Sequence, residues 1–232
     1  KSFEEVAELK SRMYALLNHE TRTPLHGILL PAQELRTNES LNAEERDMFL
    51  EMIEQSATRL QHLFERVDTL STMKSGLWDF QFIATDVRKV VQSAIDAITA
   101  RIPACDITLE HDLPEAVFAM LDPHQMSRVI AAMLENAIQF SPLEGRVTVG
   151  VRHDNEYCYV TVSDEGDGID PVFLPHVFEE FGHPDGMHHT KGYGLSLATV
   201  RQVMLAHQGT IEVESTKGVG TTFTLRLSIT SS

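Results

Sequence analysis

NHETRTPLHGI, residues 18–28, is the stretch on which the reading of this chain turns. It sets a histidine beside a carboxylate, His19 and Glu20, with Thr23 and Pro24 one turn further on. The surrounding pattern is helical. From Phe3 to about Arg36, Val6, Leu9, Met13 and Leu16 recur at 3-4-3 spacing. His19 falls about 100° round the helix from that stripe, so its imidazole is expected in solvent. A neutral imidazole is a nucleophile with a free ring nitrogen at neutral pH. Glu20 can accept the other ring N–H, fix the tautomer and stabilise positive charge on the ring. Pro24 and Gly27 are expected to bend the helix, since proline removes a ladder bond and crowds the preceding turn.

Beyond the polar break TNESLN a second helix is expected over 42–74. Its seam, Phe49, Ile53, Ser56, Leu60, Leu63, Val67 and Leu70, alternates steps of four and three. Two such helices make a hairpin that cannot bury a whole face alone. A homodimeric four-helix bundle is the natural solution. The composition changes near Ser75 and Gly76. From there strands are expected at 79–83, 107–111, 146–152, 157–164, 210–215 and 221–229, the third and fourth forming a hairpin across the turn HDNE. Helices are expected over 86–101, 122–140 and 194–208. The fold class is therefore α+β: a helical hairpin in residues 1–74, then a two-layer α/β sandwich with a mixed sheet in 75–232.

The bulk properties narrow the partners. Of the 232 residues 42% are hydrophobic, enough for two cores, and 23% are charged. A formal charge of −15 argues against nucleic acid, which needs clustered Lys and Arg. No apolar run approaches the roughly 18 residues of a membrane helix, and no signal peptide is visible. The isolated cysteines, Cys105 and Cys158, read as reduced thiols of a cytoplasmic protein. The uncapped helical start reads as a fragment whose sensing region, with any membrane anchor, lies upstream.

Two glycine-rich stretches carry the remaining chemistry. In DEGDGI (164–169) a carboxylate ends a strand, where it can accept from an adenine amino group. Gly166 and Gly168 allow the main chain to approach a ring closely. In GYGLSL (192–197) two glycines precede a helix whose first N–H groups face an anion. LENAIQFSP (134–142) stands before them and GVGTTF (218–223) after.

HETRTPL resembles the H-box of sensor histidine kinases nearly in full. The distal stretches, in this order, resemble the N, G1, F, G2 and G3 boxes of the Bergerat-type ATP-lid family, which also holds gyrase-type, Hsp90-type and mismatch-repair ATPases. The resemblance implies that His19 is the phosphoacceptor and Glu20 its acid–base neighbour. Thr23 would orient a hydrolytic water when the partner is dephosphorylated, and a response-regulator receiver would dock around Pro24. It implies an ATP site of Asn136, Asp164, Gly166, Gly168, Lys191, Gly192, Gly194, Leu195 and Thr221, with Asn136 also a Mg²⁺ ligand. Residues 179–190 would be a mobile lid. Its His183, His188 and His189 lack the companion ligands that fix a metal geometry.

Some positions depart from the pattern. Ala132 stands where an earlier N-box Asn is usual, Gln139 where a basic residue is usual, and Glu180 and His183 where arginines are common. Each loss removes a metal ligand or a positive charge from the phosphoryl site, and one such contact is worth about 2–4 kcal/mol in catalysis. These departures keep a second reading open: a degenerate kinase that acts as a binding module for a receiver or another histidine kinase. A clamp ATPase of the gyrase or Hsp90 kind is the third. Such proteins lack the H-box hairpin, and Ala132 sits where they keep a water-activating carboxylate.

Overall fold

The computed structural model describes residues 3–101, 106–111, 116–142, 145–180 and 195–230; the side chains of 3–17, 19, 66, 100–101 and 106–111 lie outside the described set. The chain divides into two compact units, Lys1–Ser71 and Thr72–Ser232.

The first unit is built from two long helices, α1 (Phe3–Thr37) and α2 (Ala43–Lys74). The link between them is closed by side chains. Asn42 Oδ1 accepts from Glu45 N at 2.9 Å while Asn42 N donates to Glu45 Oε2 at 2.9 Å, a reciprocal cap that starts α2. Every residue of the predicted seam is turned inward to some degree, with Leu63 and Leu70 fully buried. Helix α1 is unbroken through Pro24 and Pro31. Gly27 serves a contact with the second helix. A Cβ there would lie 2.3 Å from Ser56 Oγ and 3.2 Å from Ser56 Cβ, so the missing side chain lets α1 and α2 close on each other.

The second unit is a mixed five-stranded sheet with helices on one face, as the sequence leads one to expect. Its strands are β2 (Asp106–His111), β4 (Arg146–His153), β5 (Tyr157–Asp164), β7 (Gly220–Ser228) and β6 (Thr210–Thr216), in that spatial order. The β2–β4 pair is parallel and the rest are antiparallel. Helices α3 (Val87–Arg101), α4 (Pro123–Phe140) and α5 (Ser196–Ala206) supply the second layer. Strands β5 and β7 alternate half-buried and buried residues along their whole length, which puts Val160, Val162, Phe223 and Leu225 into one core with Ile130, Met133, Leu134 and Val203.

Two features differ from expectation. The first strand is displaced: β1 covers Ile83–Asp86 rather than 79–83, and it pairs with β3 (Phe118–Leu121), which the sequence pattern did not mark. Residues 79–82 are held instead by side chains. Gln81 N donates to Asp122 Oδ2 at 3.0 Å, and the rings of Phe80 and Phe82 lie 5.6 and 4.9 Å from that of His207. The same Asp122 caps α4, its Oδ1 accepting from Gln125 N at 3.0 Å ahead of Pro123 in the first turn.

Candidate functional site

Asp164, Gly166, Gly168 and Thr221 converge at one end of the sheet. Asp164 closes β5 and lies opposite Thr221 of β7. Its Oδ1 accepts from Gly166 N at 2.9 Å and from Thr221 N at 3.2 Å. Among the described residues no hydrogen bond reaches Oδ2. The carboxyl is buried, and that burial raises its pKa above the ordinary carboxylate value even though the two N–H groups pull it down. A fixed carboxylate with one oxygen engaged and one free is an acceptor held ready for an amino group.

The glycines around it admit no side chain. A Cβ at Gly166 would come within 2.4 Å of Phe140 O, in the last turn of α4. Gly168 has φ of 64°, and its Cβ would strike Thr216 O at 2.2 Å. The β6–β7 turn thus folds directly onto the DEGDGI loop, and Gly218 N donates to Asp167 O at 2.7 Å. Gly220, at φ of 145°, would drive a Cβ into Asp164 O at 2.0 Å. GVGTTF therefore packs directly against the DEGDGI loop.

Asn136 stands one turn before Phe140 on α4. Its Nδ2 is buried and has no hydrogen-bond partner among the described residues. An orphaned buried amide calls for a partner such as a water, an ion or a ligand. In this orientation it offers N–H to a phosphate oxygen. With the amide turned over it offers Oδ1 to a cation. The donor set fits a polyphosphate with its metal. Leu195, almost fully buried, occupies the N-cap position of α5 and gives no side-chain cap, so the first N–H groups of that helix keep their anion-binding capacity. Lys191, Gly192, Gly194 and the three lid histidines lie outside the described residues. Glu180, half-buried, forms an ion pair with Lys74.

His19, Glu20 and Thr23 all lie on α1, in the first unit. The His19 side chain is outside the described set. Thr23 is exposed and makes no hydrogen bond among the described residues, whereas Thr21 Oγ1 bonds back to Asn18 O at 3.2 Å. Pro24 is buried, and Leu25, Leu29 and Leu30 beside it are 43%, 54% and 60% exposed.

One member of the pocket was missed by sequence reasoning. Ser215 lies opposite Thr221 in β6, and its Oγ is 2.8 Å from Ile169 N, 2.9 Å from Gly220 O and 2.9 Å from Thr221 Oγ1. The only signal was parity: in TIEVES it shares a face with Ile211 and Val213.

Comparison with known proteins agrees with both halves. The "His Kinase A (phospho-acceptor) domain" matches residues 9–76, and the "Histidine kinase-, DNA gyrase B-, and HSP90-like ATPase" matches residues 121–231. The sensor protein TorS of Escherichia coli K12 is 33% identical over 97% of this chain, which spans 24% of TorS. Like TorS, the other relatives that match first extend well beyond it, the chain spanning 61% and 47% of the next two. Among solved structures, full-length ShkA in complex with AMPPNP has a TM-score of 0.71 at 23% identity, covering 96% of this chain and 46% of that one. Histidine kinase ThkA in complex with response regulator protein TrrA has a TM-score of 0.73 at 17% identity, covering 98% of this chain and 64% of that one. At those identities the structures speak for the fold. No helix among the described residues is long and apolar enough to cross a membrane. With a phospho-acceptor domain followed by an ATPase domain of the histidine-kinase type, the chain belongs to the histidine kinases and is a histidine kinase catalytic core.

Proposed function

We propose that this core phosphorylates His19 from Mg-ATP and passes the phosphoryl group to an aspartate of a separate response-regulator receiver. The observation that carries the reading is the Asp164 carboxylate, fixed through Oδ1 with Oδ2 unclaimed among the described residues, where two glycine-rich loops close on each other at the end of the sheet. Asp164, Gly166, Gly168, Leu195 and Thr221 would hold the adenine end, and Asn136, Lys191, Gly192 and Gly194 the phosphates. Mg²⁺, bound with the help of Asn136, would offset charge on the polyphosphate. The lone pair of His19 Nε2 forms the N–P bond as the bond from the γ-phosphorus to the bridging oxygen breaks and ADP leaves with that electron pair. Glu20 holds the proton on the other ring nitrogen throughout. In the second transfer an aspartate oxygen of the receiver takes the phosphorus and the N–P bond breaks. Thr23, exposed and without a bond to its own helix, is placed to orient a water when the receiver is dephosphorylated.

The hairpin supports a homodimer. Leu25, Leu29, Leu30, Met48, Leu50, Met52 and Phe64 are each more than two-fifths exposed, more apolar surface than a stable monomeric hairpin leaves uncovered.

A second reading, the binding module with little kinase activity, draws on Ala132 and on Glu180, whose carboxylate is taken up by Lys74 and leaves no positive charge at that position. One experiment separates the two. The chain and its His19→Ala variant are incubated with γ-labelled Mg-ATP, and the label is tested for acid lability and base stability. Kinase activity predicts such label on the wild type and none on the variant. A folded, nucleotide-binding wild type that takes no label would refute it and leave the binding module.

A further inference from the structure

The side of the sheet opposite the helices is polar, and one of its rows is basic in an acidic protein. Cross-strand register sets Arg152 of β4, Tyr159 of β5 and Arg226 of β7 directly beside one another. Both guanidiniums lie over aromatic rings. That of Arg152 is 4.7 Å from the centroid of the Tyr159 ring, and that of Arg226 is 4.7 Å from the centroid of the Tyr157 ring. These are cation–π distances, and a guanidinium resting on a ring is held in place while its N–H edges stay available. Arg152 is exposed and Arg226 half-buried.

The chain's own acids do not answer this charge. The sequence holds 34 acidic residues against 19 basic ones. Yet among the described residues neither guanidinium has a carboxylate within ion-pair distance or an acceptor for its N–H groups. The acid closest in sequence, Asp154, has both oxygens engaged. Its Oδ1 accepts from Glu156 N and Tyr157 N at 2.8 Å each, and its Oδ2 from the Tyr159 hydroxyl at 2.9 Å. Asp154 therefore builds the β4–β5 turn and pins the Tyr159 ring beneath Arg152. The next row toward the nucleotide end is Gly150, Thr161 and Thr224, whose small side chains leave the arginines open on that flank.

From this we propose that the Arg152–Tyr159–Arg226 row is a docking surface for an acidic segment of a partner protein, whose carboxylates complete the two guanidiniums. Charge complementarity selects that occupant. A chain of net charge −15 repels acidic segments over most of its surface, so a basic row held on rings is where one can be received. Two forked donors match planar carboxylates bidentately. Nucleic acid fits poorly, because two arginines do not offset the repulsion between a phosphate backbone and so acidic a protein. The row is also separate from the nucleotide site. Tyr159 lies five residues before Asp164 on β5, about 17 Å of strand, so an acidic segment and a nucleotide can be held at once.

The test is fluorescence anisotropy of a fluorescein-labelled hexaglutamate peptide titrated with the whole chain, with hexaglutamine as the neutral control. Wild type is expected to bind hexaglutamate alone, and more weakly as salt rises. Arg152→Gln and Arg226→Gln are each expected to weaken binding about three- to tenfold. Arg128→Gln and Arg201→Gln, which remove the same charge from exposed positions on α4 and α5, should leave it unchanged. Tyr159→Leu takes away the ring beneath Arg152 and should weaken binding more than Tyr159→Phe, which keeps it. Saturating AMPPNP with Mg²⁺ should leave the peptide bound. A wild type that ignores hexaglutamate, equal losses in all four arginine variants, or displacement of the peptide by AMPPNP would each overturn the proposal. So would capture of the chain by phosphatidylserine vesicles through the same two arginines without peptide binding, which would make the surface a membrane one. Should Tyr159→Leu fail to fold, the arginine variants decide alone.

Discussion

Lowering the pH from 7 to 5 tests the hydrogen bonding of a group that no proposed chemistry uses, His207. Its imidazole is buried at the end of α5, with Nε2 accepting from Asp122 N at 2.9 Å and Nδ1 2.8 Å from Val203 O. The first contact requires a bare nitrogen and the second a protonated one, so the ring is held neutral in one tautomer. Burial depresses its pKa against the weaker pull of the Val203 carbonyl and the Asp122 carboxylate. The sign follows. Below the ordinary imidazole pKa of about 6.5 the unfolded chain binds a proton that the folded chain refuses, so stability is full above that pH and falls as pH drops below it. The slope is about 1.4 kcal/mol per pH unit until the depressed pKa is reached. For a unit of this size that is a Tm fall of roughly 3–5 °C per unit. Asp86, Asp122, Asp154 and Asp170 are held below the usual carboxylate value and lose their contribution only at lower pH. Asp164, raised by burial, acts with the opposite sign, so the difference between wild type and His207→Gln is the quantity to measure. The chain has a single tryptophan, Trp78, whose ring lies 6.4 Å from Phe80, itself stacked edge-on against His207. Urea titration followed by its fluorescence at pH 7, 6 and 5 reads out the second unit. Wild type should lose stability below about pH 6.5 more steeply than His207→Gln, by up to about 1.4 kcal/mol per unit. Parallel slopes in the two proteins would refute the argument.

Two further outcomes follow from the contacts described. Gly27→Leu should destabilise the first unit by about 1–3 kcal/mol through overpacking against Ser56, with Ser56→Gly in the same chain recovering part of the loss; additive effects in chemical denaturation would show that the helices do not meet there. Asp164→Asn keeps an oxygen for the Gly166 and Thr221 N–H groups but replaces the free acceptor with a donor. ADP affinity should fall about a hundredfold, near 3 kcal/mol, with the Tm of the free protein undiminished because a desolvated charge has gone; unchanged ADP affinity would remove Asp164 from the base site.

Much of this architecture was legible because burial leaves a period in the sequence. The α2 seam was readable since each of its seven residues has to face inward on a helix. Strands β4 and β5 were readable since one face alone meets the helices. Where the reading failed, the periodicity was real and the hydrogen-bonding partner was not the expected one. DFQFI does alternate, and Phe80 and Phe82 do share a face, but that face meets His207 and the backbone N–H of Gln81 goes to a carboxylate rather than to a strand. Strand β3 went unmarked because VFAML is apolar without interruption, and only the pairing with β1 sorts its buried Ala119 and Leu121 from its exposed Phe118 and Met120. Gly27 was read as a bend because a glycine near a proline carries that local meaning, while its contact with Ser56 is a tertiary fact.

The pocket shows the same division between composition and adjacency. Asp164, the paired glycines and Thr221 could be found in the sequence since each is an unusual residue type for its place: a carboxylate ending an apolar strand, and glycines where the chain must take φ of 64° or 145°. Ser215 could not, because a serine near the end of an edge strand is an ordinary residue. What makes it matter is cross-strand register. A shift of one residue in the β6–β7 pairing would turn Ser215 to the other face and put Glu214 or Thr216 opposite Thr221. The register is itself held by the Gly218–Asp167 bond and by the contact that forbids a Cβ at Gly220. The turn that packs against the DEGDGI loop therefore also fixes which side chain meets Thr221. A change at Gly220 should accordingly lower stability and disturb the pairing of Ser215 with Thr221 together.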